Sequence, residues 1–249
     1  MIRRPVVLAG LLLATLCACS KSAEVAPPTT VFAAASLTAP FERIAREFES
    51  SHPGSKVELH FAGTPQLVLQ VRDGAQVDVF ASADVPNMQR LVAAKVTDGE
   101  PRTFAQNRLT IVVGKGNGQR IAALADLARK DLKVLLCGPE VPAGKYAREA
   151  LAKAGVAVQS VSDEPNVKAV VAKVALGEAD AGIVYVTDVA SATAPVEAVA
   201  IPDEQNVVAI YPIAVLSGGK NSAGGRAFAD YVLSAAGQKV LQSCGFLAP

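Results

Sequence analysis

Four strand-to-helix corners place uncharged hydrogen-bond donors ahead of helical spacing: Ser36, Thr64, Pro142-Ala143-Gly144 and Asn166-Val167. Each reads as the start of a helix. The first N–H groups of a helix have no intrahelical acceptor and carry the positive end of its dipole, so they favour an anion. Ser36 and Thr64 add hydroxyls. None of the four corners carries an arginine at its tip, and Lys145 and Lys168 sit one or two residues into their helices, where the side chains are free to turn to solvent. The chemistry suggested is recognition of a small anion by neutral dipoles, each exposed helix start contributing roughly 0.3–1 kcal/mol and more when buried. The plainer reading is capping: Ser36, Thr38 or Thr64 as ordinary helix caps, which any α/β protein needs.

The elements that must position these residues alternate along the chain. Val31–Ala35 is a continuous small apolar run, as expected of a strand covered on both faces. After it, Phe41, Ile44, Ala45 and Phe48 recur at i, i+3, i+4, i+7, with Glu42, Arg43, Arg46 and Glu47 opposite, which predicts an amphipathic helix. Lys56–Ala62 alternates Val57, Leu59 and Phe61 with polar residues, a half-exposed strand; Thr64 at an N-cap and Pro65 at the first helical position then open a helix ending near Asp73-Gly74. Further strands are expected at Val77–Ala81, Asn107–Gly114, Val134–Cys137, Ala181–Val186 and Val207–Leu216. Helices are expected at 85–94, 121–127, 145–154, 167–176 and, as one element, 227–242. Asn166 is a good N-cap, with Ser160–Pro165 leading to it. Strand and helix patterns that alternate without long gaps argue for α/β architecture with parallel strands, and ligands in such sheets sit at the carboxyl ends of strands.

Composition removes several functions. The chain has 249 residues and is 51% hydrophobic, enough for one large core or two modest ones. Twenty-four basic residues against 23 acidic ones leave no basic footprint for nucleic acid, and an aromatic content of 5% without tryptophan leaves few stacking platforms. His52 and His60 are too few for a histidine-built metal site and fall around a turn and a strand edge. No phosphate-loop spacing follows any Gly-Lys pair. A serine hydrolase needs G-x-S-x-G, and Lys220-Asn221-Ser222-Ala223-Gly224 lacks the first glycine. Asp78 and Asp84 do not make an acid/base pair, because one belongs to a strand and the other reads as a helix cap. An envelope hydrolase is therefore the weakest reading.

The first residues lie outside the fold. Arg3 and Arg4 precede Val6–Leu16, a secretory-signal layout too short to span a bilayer as a mature helix. Leu16-Cys17-Ala18-Cys19 resembles the lipobox of bacterial lipoproteins, which implies residues 1–18 as signal peptide and Cys19 as the lipidated first residue; an ordinary cleaved signal is the alternative. Lys21–Thr30, with Pro27-Pro28 and no hydrophobic period, reads as a flexible tether. Cys137 and Cys244 remain, either as a pair or as two free thiols.

Residues 31–249 resemble the molybdate-binding proteins of bacterial ABC transporters. The resemblance rests on six motifs in order: Phe32-Ala33-Ala34-Ala35-Ser36-Leu37-Thr38, Phe61-Ala62-Gly63-Thr64, Asp78-Val79-Phe80-Ala81-Ser82-Ala83-Asp84, Val141-Pro142-Ala143-Gly144, Gly182-Ile183-Val184-Tyr185 and Gly245-Phe246. It implies a type II periplasmic binding protein fold of two α/β lobes, each a mixed, mostly parallel sheet flanked by helices, with 31–111 plus 212–249 as the first lobe and 112–211 as the second. It implies Ser36 and Thr64 as hydroxyl and N–H donors, Ala143 and Val167 as backbone N–H donors, and Tyr185 as a phenol donor to molybdate or tungstate. No cofactor and no metal beyond the oxyanion itself is implied, and no catalysis. The implied partners are an ABC permease and its ATPase, for a monomer held at the outer side of a membrane by its lipid alone. The family commonly has serine where Thr64 stands; threonine keeps the hydroxyl, narrows the pocket with its methyl and restricts χ1, while Pro65 removes one N–H. Sulfate or another tetrahedral oxyanion is the alternative cargo.

Overall fold

The computed structural model describes residues 26–249 together with Ile2. Apart from Ile2, the signal segment 1–18, the lipidation residue Cys19 and the tether as far as Val25 lie outside the described residues. Seventeen elements follow in chain order: β1 (Thr29–Ala34), α1 (Thr38–Ser51), β2 (Val57–Ala62), α2 (Thr64–Arg72), β3 (Val79–Ala81), α3 (Val85–Ala93), β4 (Arg102–Gly114), β5 (Val134–Cys137), α4 (Pro142–Lys153), β6 (Ser162–Glu164), α5 (Val167–Ala175), β7 (Ala181–Tyr185), α6 (Val186–Ala190), β8 (Val196–Ala200), β9 (Val208–Val215), α7 (Ser222–Leu233) and α8 (Ala235–Ser243). Short 3-10 turns occupy Ala35–Leu37 and Leu124–Ala128.

The strands run in the order β2-β1-β3-β9-β4-β7-β5-β6, with β8 also on β4. Parallel pairs sit toward the two ends, β1 with β2 and β3, and β5 with β6 and β7. Every antiparallel pair contains β4 or β9, the two strands that carry the chain between halves. Along β4 the partner changes once: Arg102–Arg108 pair with β9, whereas Leu109–Val113 pair with β7. At that junction the Asn206 side chain stands in for a strand neighbour, accepting from Leu109 N at 3.0 Å and donating to Leu109 O at 2.9 Å. The backbone groups freed where two strands part are thereby satisfied.

Apolar periodicity explains the packing of the first half. Pro40, Phe41, Ile44, Ala45 and Phe48 form the buried stripe of α1, and Phe41 and Phe48 meet Phe228 of α7 at centroid distances of 6.0 and 5.5 Å. In the second half β5 and β7 are buried along their whole length between helices, which is why both read as unbroken apolar runs. Among the described residues no helix is long and apolar enough to cross a membrane.

Several elements depart from the sequence expectation. The C-terminal helix expected over 227–242 is two helices, broken at Ser234, whose backbone is extended (φ −68°, ψ 164°) and whose hydroxyl receives Gly237 N–H to cap α8. Helix α4 begins at Pro142, three residues before the expected Lys145, so Ala143 and Gly144 belong to its first turn. The 121–127 segment forms only a 3-10 turn at Leu124–Ala128. Thr64 is not the cap of α2. Gly63 takes that position with no side-chain hydrogen bond, and Thr64 is the first helical residue. Cys137 and Cys244 are both free, which decides the pairing left open above.

Candidate functional site

The four donor corners converge. Ser36, Thr64, Ala143, Val167 and Tyr185 all line one cavity of about 20 Å³ between the two halves, room for a compact guest of a few heavy atoms and for nothing like a sugar or nucleotide. The rest of its wall is small or apolar, including Ala35, Ala62, Gly63, Ala83, Val141 and Pro142, with Asn166 the other polar member. Among the described residues no lysine, arginine, histidine, aspartate or glutamate lines it.

Each donor is set by its element. Ser36 lies on the 3-10 turn between β1 and α1 and is 5% exposed. Neither it nor Thr38 caps α1: the cap residue Leu37 has no side-chain bond, and the Thr38 hydroxyl donates back to Ala35 O at 2.8 Å. Ala143 is in the first turn of α4, which a Cβ at Gly144 would push off the carbonyls of Cys137 and Gly138, so that glycine seats the helix start directly on the end of β5. Val167 opens α5, whose cap Asn166 receives Ala169 N–H at 3.1 Å. Tyr185 ends β7 and is 1% exposed.

Two hydroxyls here have no protein partner. Thr64 Oγ1 and Tyr185 OH are buried and make no hydrogen bond, an arrangement that costs about 1–3 kcal/mol for each group unless a guest satisfies it. Burial raises the Tyr185 phenol well above its ordinary range, with the neighbouring Tyr211 adding to it. It stays protonated and able to donate.

The halves touch beside the cavity. A Cβ at Gly63 would collide with the Pro165 carbonyl oxygen, and Arg90 of α3 reaches Glu140 ahead of α4 at 3.1 Å. That ion pair is exposed and contributes little. Gly63 is the close approach that matters.

A sequence profile of bacterial extracellular solute-binding proteins matches residues 29–247. The chain belongs to this family. This solute-binding protein is 39% identical to the molybdate-binding protein ModA of Mycobacterium tuberculosis, over 96% of this chain and 95% of that one. It is 33% identical to the ModA of Escherichia coli, over 87% and 88% of the two chains. Among solved structures, the sulfate-binding protein SubI from Mycobacterium tuberculosis H37Rv superposes with a TM-score of 0.78 over 88% of this chain and 86% of that one, at 22% identity, which shows the shared two-lobed fold. A solute-binding protein carries its ligand and does not transform it; the chain is not an enzyme.

Three residues that sequence reasoning did not single out support the site of this solute-binding protein. Tyr211 on β9 is fully buried, with its OH 3.0 Å from Ser36 Oγ. Asn107 on β4 donates to Thr187 Oγ1 at 2.8 Å, tying the crossing strand to the turn after Tyr185. Asp188, two residues into that turn's helix, receives Tyr185 N–H at 3.1 Å. Lys168 does not turn to open solvent as expected: its ammonium stands 3.5 Å from Asp188 Oδ1 and 3.5 Å from Ser191 Oγ. The cation nearest the start of α5 is thus held by a buried carboxylate.

Burial pushes the Asp188 carboxyl up to about 6 from 3.8, against the opposing pull of Lys168. The folded state therefore holds a proton on Asp188 between pH 4 and 6 that the unfolded chain has lost. The resulting penalty is absent below about pH 4, grows as pH rises and is complete above about pH 6, on the order of 3 kcal/mol. Asp188→Asn keeps the oxygen that accepts Tyr185 N–H and removes the charge. Urea midpoints measured from pH 4 to 8 are expected to show the variant more stable than the parent at pH 8 and equal to it near pH 4; parallel profiles would refute the assignment.

Proposed function

We propose that the cavity holds one molybdate or tungstate dianion, trapped by closure of the lobes and passed to an ABC permease driven by its ATPase. The observation that carries this reading is the pair of buried, unpartnered hydroxyls of Thr64 and Tyr185 on a cavity wall without charge. With Ser36 and the N–H groups of Ala143 and Val167 they make a set of five uncharged groups, each able to donate to a guest. A fully ionised tetrahedral oxyanion offers only acceptors, so the two match. Relatives at 39% and 33% identity named for molybdate binding support the same cargo.

Selectivity follows from size and protonation. Molybdate and tungstate have longer metal–oxygen bonds than the S–O bonds of sulfate, so donors spaced for them leave sulfate with stretched contacts. Phosphate near neutral pH carries a proton, and seating its P–OH requires a wall hydroxyl to accept where it would otherwise donate, which forfeits one hydrogen bond to the anion, a loss of about 1–3 kcal/mol or roughly 5- to 150-fold. Calorimetry with the four anions is expected to show single-site binding of molybdate and tungstate and far weaker binding of sulfate and phosphate. Sulfate affinity equal to that of molybdate would overturn the size argument and make sulfate the cargo.

We place the lobe division at residues 31–111 with 212–249 against 112–211, within the crossing strands β4 and β9. Ser36 and Thr64 then come from one lobe and Ala143, Val167 and Tyr185 from the other, so only the closed form supplies every donor and anion binding favours closure. We assign Cys19 as the lipid anchor of a monomer at the outer side of a membrane, supported by Val6–Leu16 and Leu16-Cys17-Ala18-Cys19, and shorten the tether expected over 19–30 to 19–28, because Thr29 and Thr30 pair with Val57 and Glu58 as the start of β1.

A further inference from the structure

We propose that Tyr211, which is not on the cavity wall, sets the direction of the Ser36 hydroxyl and so makes Ser36 a donor to the bound anion. This rests on the reading of the cavity as an oxyanion site. Tyr211 is a positioning residue: it touches no ligand and acts through Ser36.

Ser36 Oγ and Tyr211 OH lie 3.0 Å apart, and either can donate. One proton occupies the space between them. If Ser36 supplies it, the serine turns lone pairs to the cavity and repels an anion, and the phenol proton must turn instead to the Asn107 side chain or the Tyr185 hydroxyl beside it. If Tyr211 supplies it, the Ser36 proton is free to point at the guest. A dianion selects the second arrangement. The phenol is held in place for this: its ring meets Phe104, Tyr185 and Phe246 edge to face at 6.2, 5.8 and 5.4 Å between centroids, and its residue is fully buried. Burial also keeps the phenol protonated far above neutral pH, so its proton is always present to give. A hydroxyl that accepts one hydrogen bond is the stronger donor in the next. Ser36, held in that sense, has one lone pair taken by the phenol and its proton turned to the guest, so Tyr211 contributes to the preference for fully ionised guests.

A double-mutant cycle read by molybdate calorimetry tests this. Tyr211→Phe keeps the ring and removes the hydroxyl. It is expected to weaken molybdate binding roughly 5- to 20-fold in the parent chain and less than about twofold in a Ser36→Ala background, because there is no longer a hydroxyl to orient. An equal loss in both backgrounds marks a packing effect and overturns the proposal, as does no loss in the parent. A parent chain that binds no molybdate instead overturns the reading of the cavity, so the two failures are distinct. Should Tyr211→Phe not fold, neutron diffraction from the deuterated parent protein with molybdate reads the same point. The deuteron between the two oxygens is expected on Tyr211 and that of Ser36 turned to the anion; the reverse overturns the proposal.

Discussion

Tyr185→Phe is expected to stabilise the empty protein and to weaken its hold on molybdate. The phenol oxygen is buried without a partner, so removing it relieves an unmet desolvation cost while the ring keeps its packing 5.8 Å from Tyr211. The gain is about 1 kcal/mol, or roughly 2–4 °C in melting temperature for a chain of this size. With the anion bound the sign reverses, because a hydrogen bond to a charged group contributes about 1.5–3 kcal/mol, and its loss lowers affinity roughly 10- to 150-fold. Thr64→Val, matched in shape, is expected to behave likewise, since Thr64 Oγ1 is orphaned in the same cavity. Melting curves with and without molybdate measure both arms. A variant that loses stability when empty, or binds as tightly as the parent, refutes the role given to these hydroxyls. Opposite signs on one substitution separate a ligand-satisfied group from a structural one, whose removal costs stability in both states.

Gly63→Ala is expected to hold the lobes apart. Its φ of −59° is one that alanine adopts without strain, so the first lobe folds as before. The added methyl, however, meets the Pro165 carbonyl oxygen of the opposite wall. Backbone is on both sides of that contact and neither side has a flexible side chain to yield. The closed state becomes a minor one, and apparent affinity falls by the fraction of molecules that still reach it. A loss of roughly 10- to 100-fold in molybdate affinity with little change in the melting temperature of the empty protein is the expected result; small-angle scattering with saturating molybdate should show the variant more extended than the parent. Parent-like affinity would mean that this contact does not limit closure.

What the sequence reveals and what it hides follow from the range of the interactions. The corners at Ser36 and Asn166 are legible because their signals are local: at Ser36 a short apolar run, a hydroxyl and then helical spacing, at Asn166 a capping amide ahead of helical spacing. Thr64-Pro65 shows the limit of such signals. The dipeptide spells a cap and a first helical residue, yet Gly63 takes the cap and the threonine hydroxyl turns to the cavity. Strands β6 and β8 and helix α6 are too short to display a period, at three, five and five residues. The break between α7 and α8 is hidden because Ala227–Gln242 keeps an apolar stripe through Ser234. Tyr185 enters the site through its resemblance to a known motif and not through its spacing. Tyr211 could not be found from the sequence at all: its partner Ser36 lies 175 residues away, and inside β9 it reads as one more large core side chain. Asp188 and Lys168, 20 residues apart on different helices, are hidden for the same reason.

The central claim is that neutral donors alone surround a doubly charged guest. Anomalous diffraction at the molybdenum edge from crystals grown with molybdate tests it most directly. A single molybdenum is expected in the cavity, its oxygens within about 2.7–3.1 Å of Ser36 Oγ, Thr64 Oγ1, Tyr185 OH and the N–H groups of Ala143 and Val167, with no lysine or arginine nitrogen reaching the anion. Molybdenum bound elsewhere, or a cationic side chain swung in to pair with it, would contradict the account.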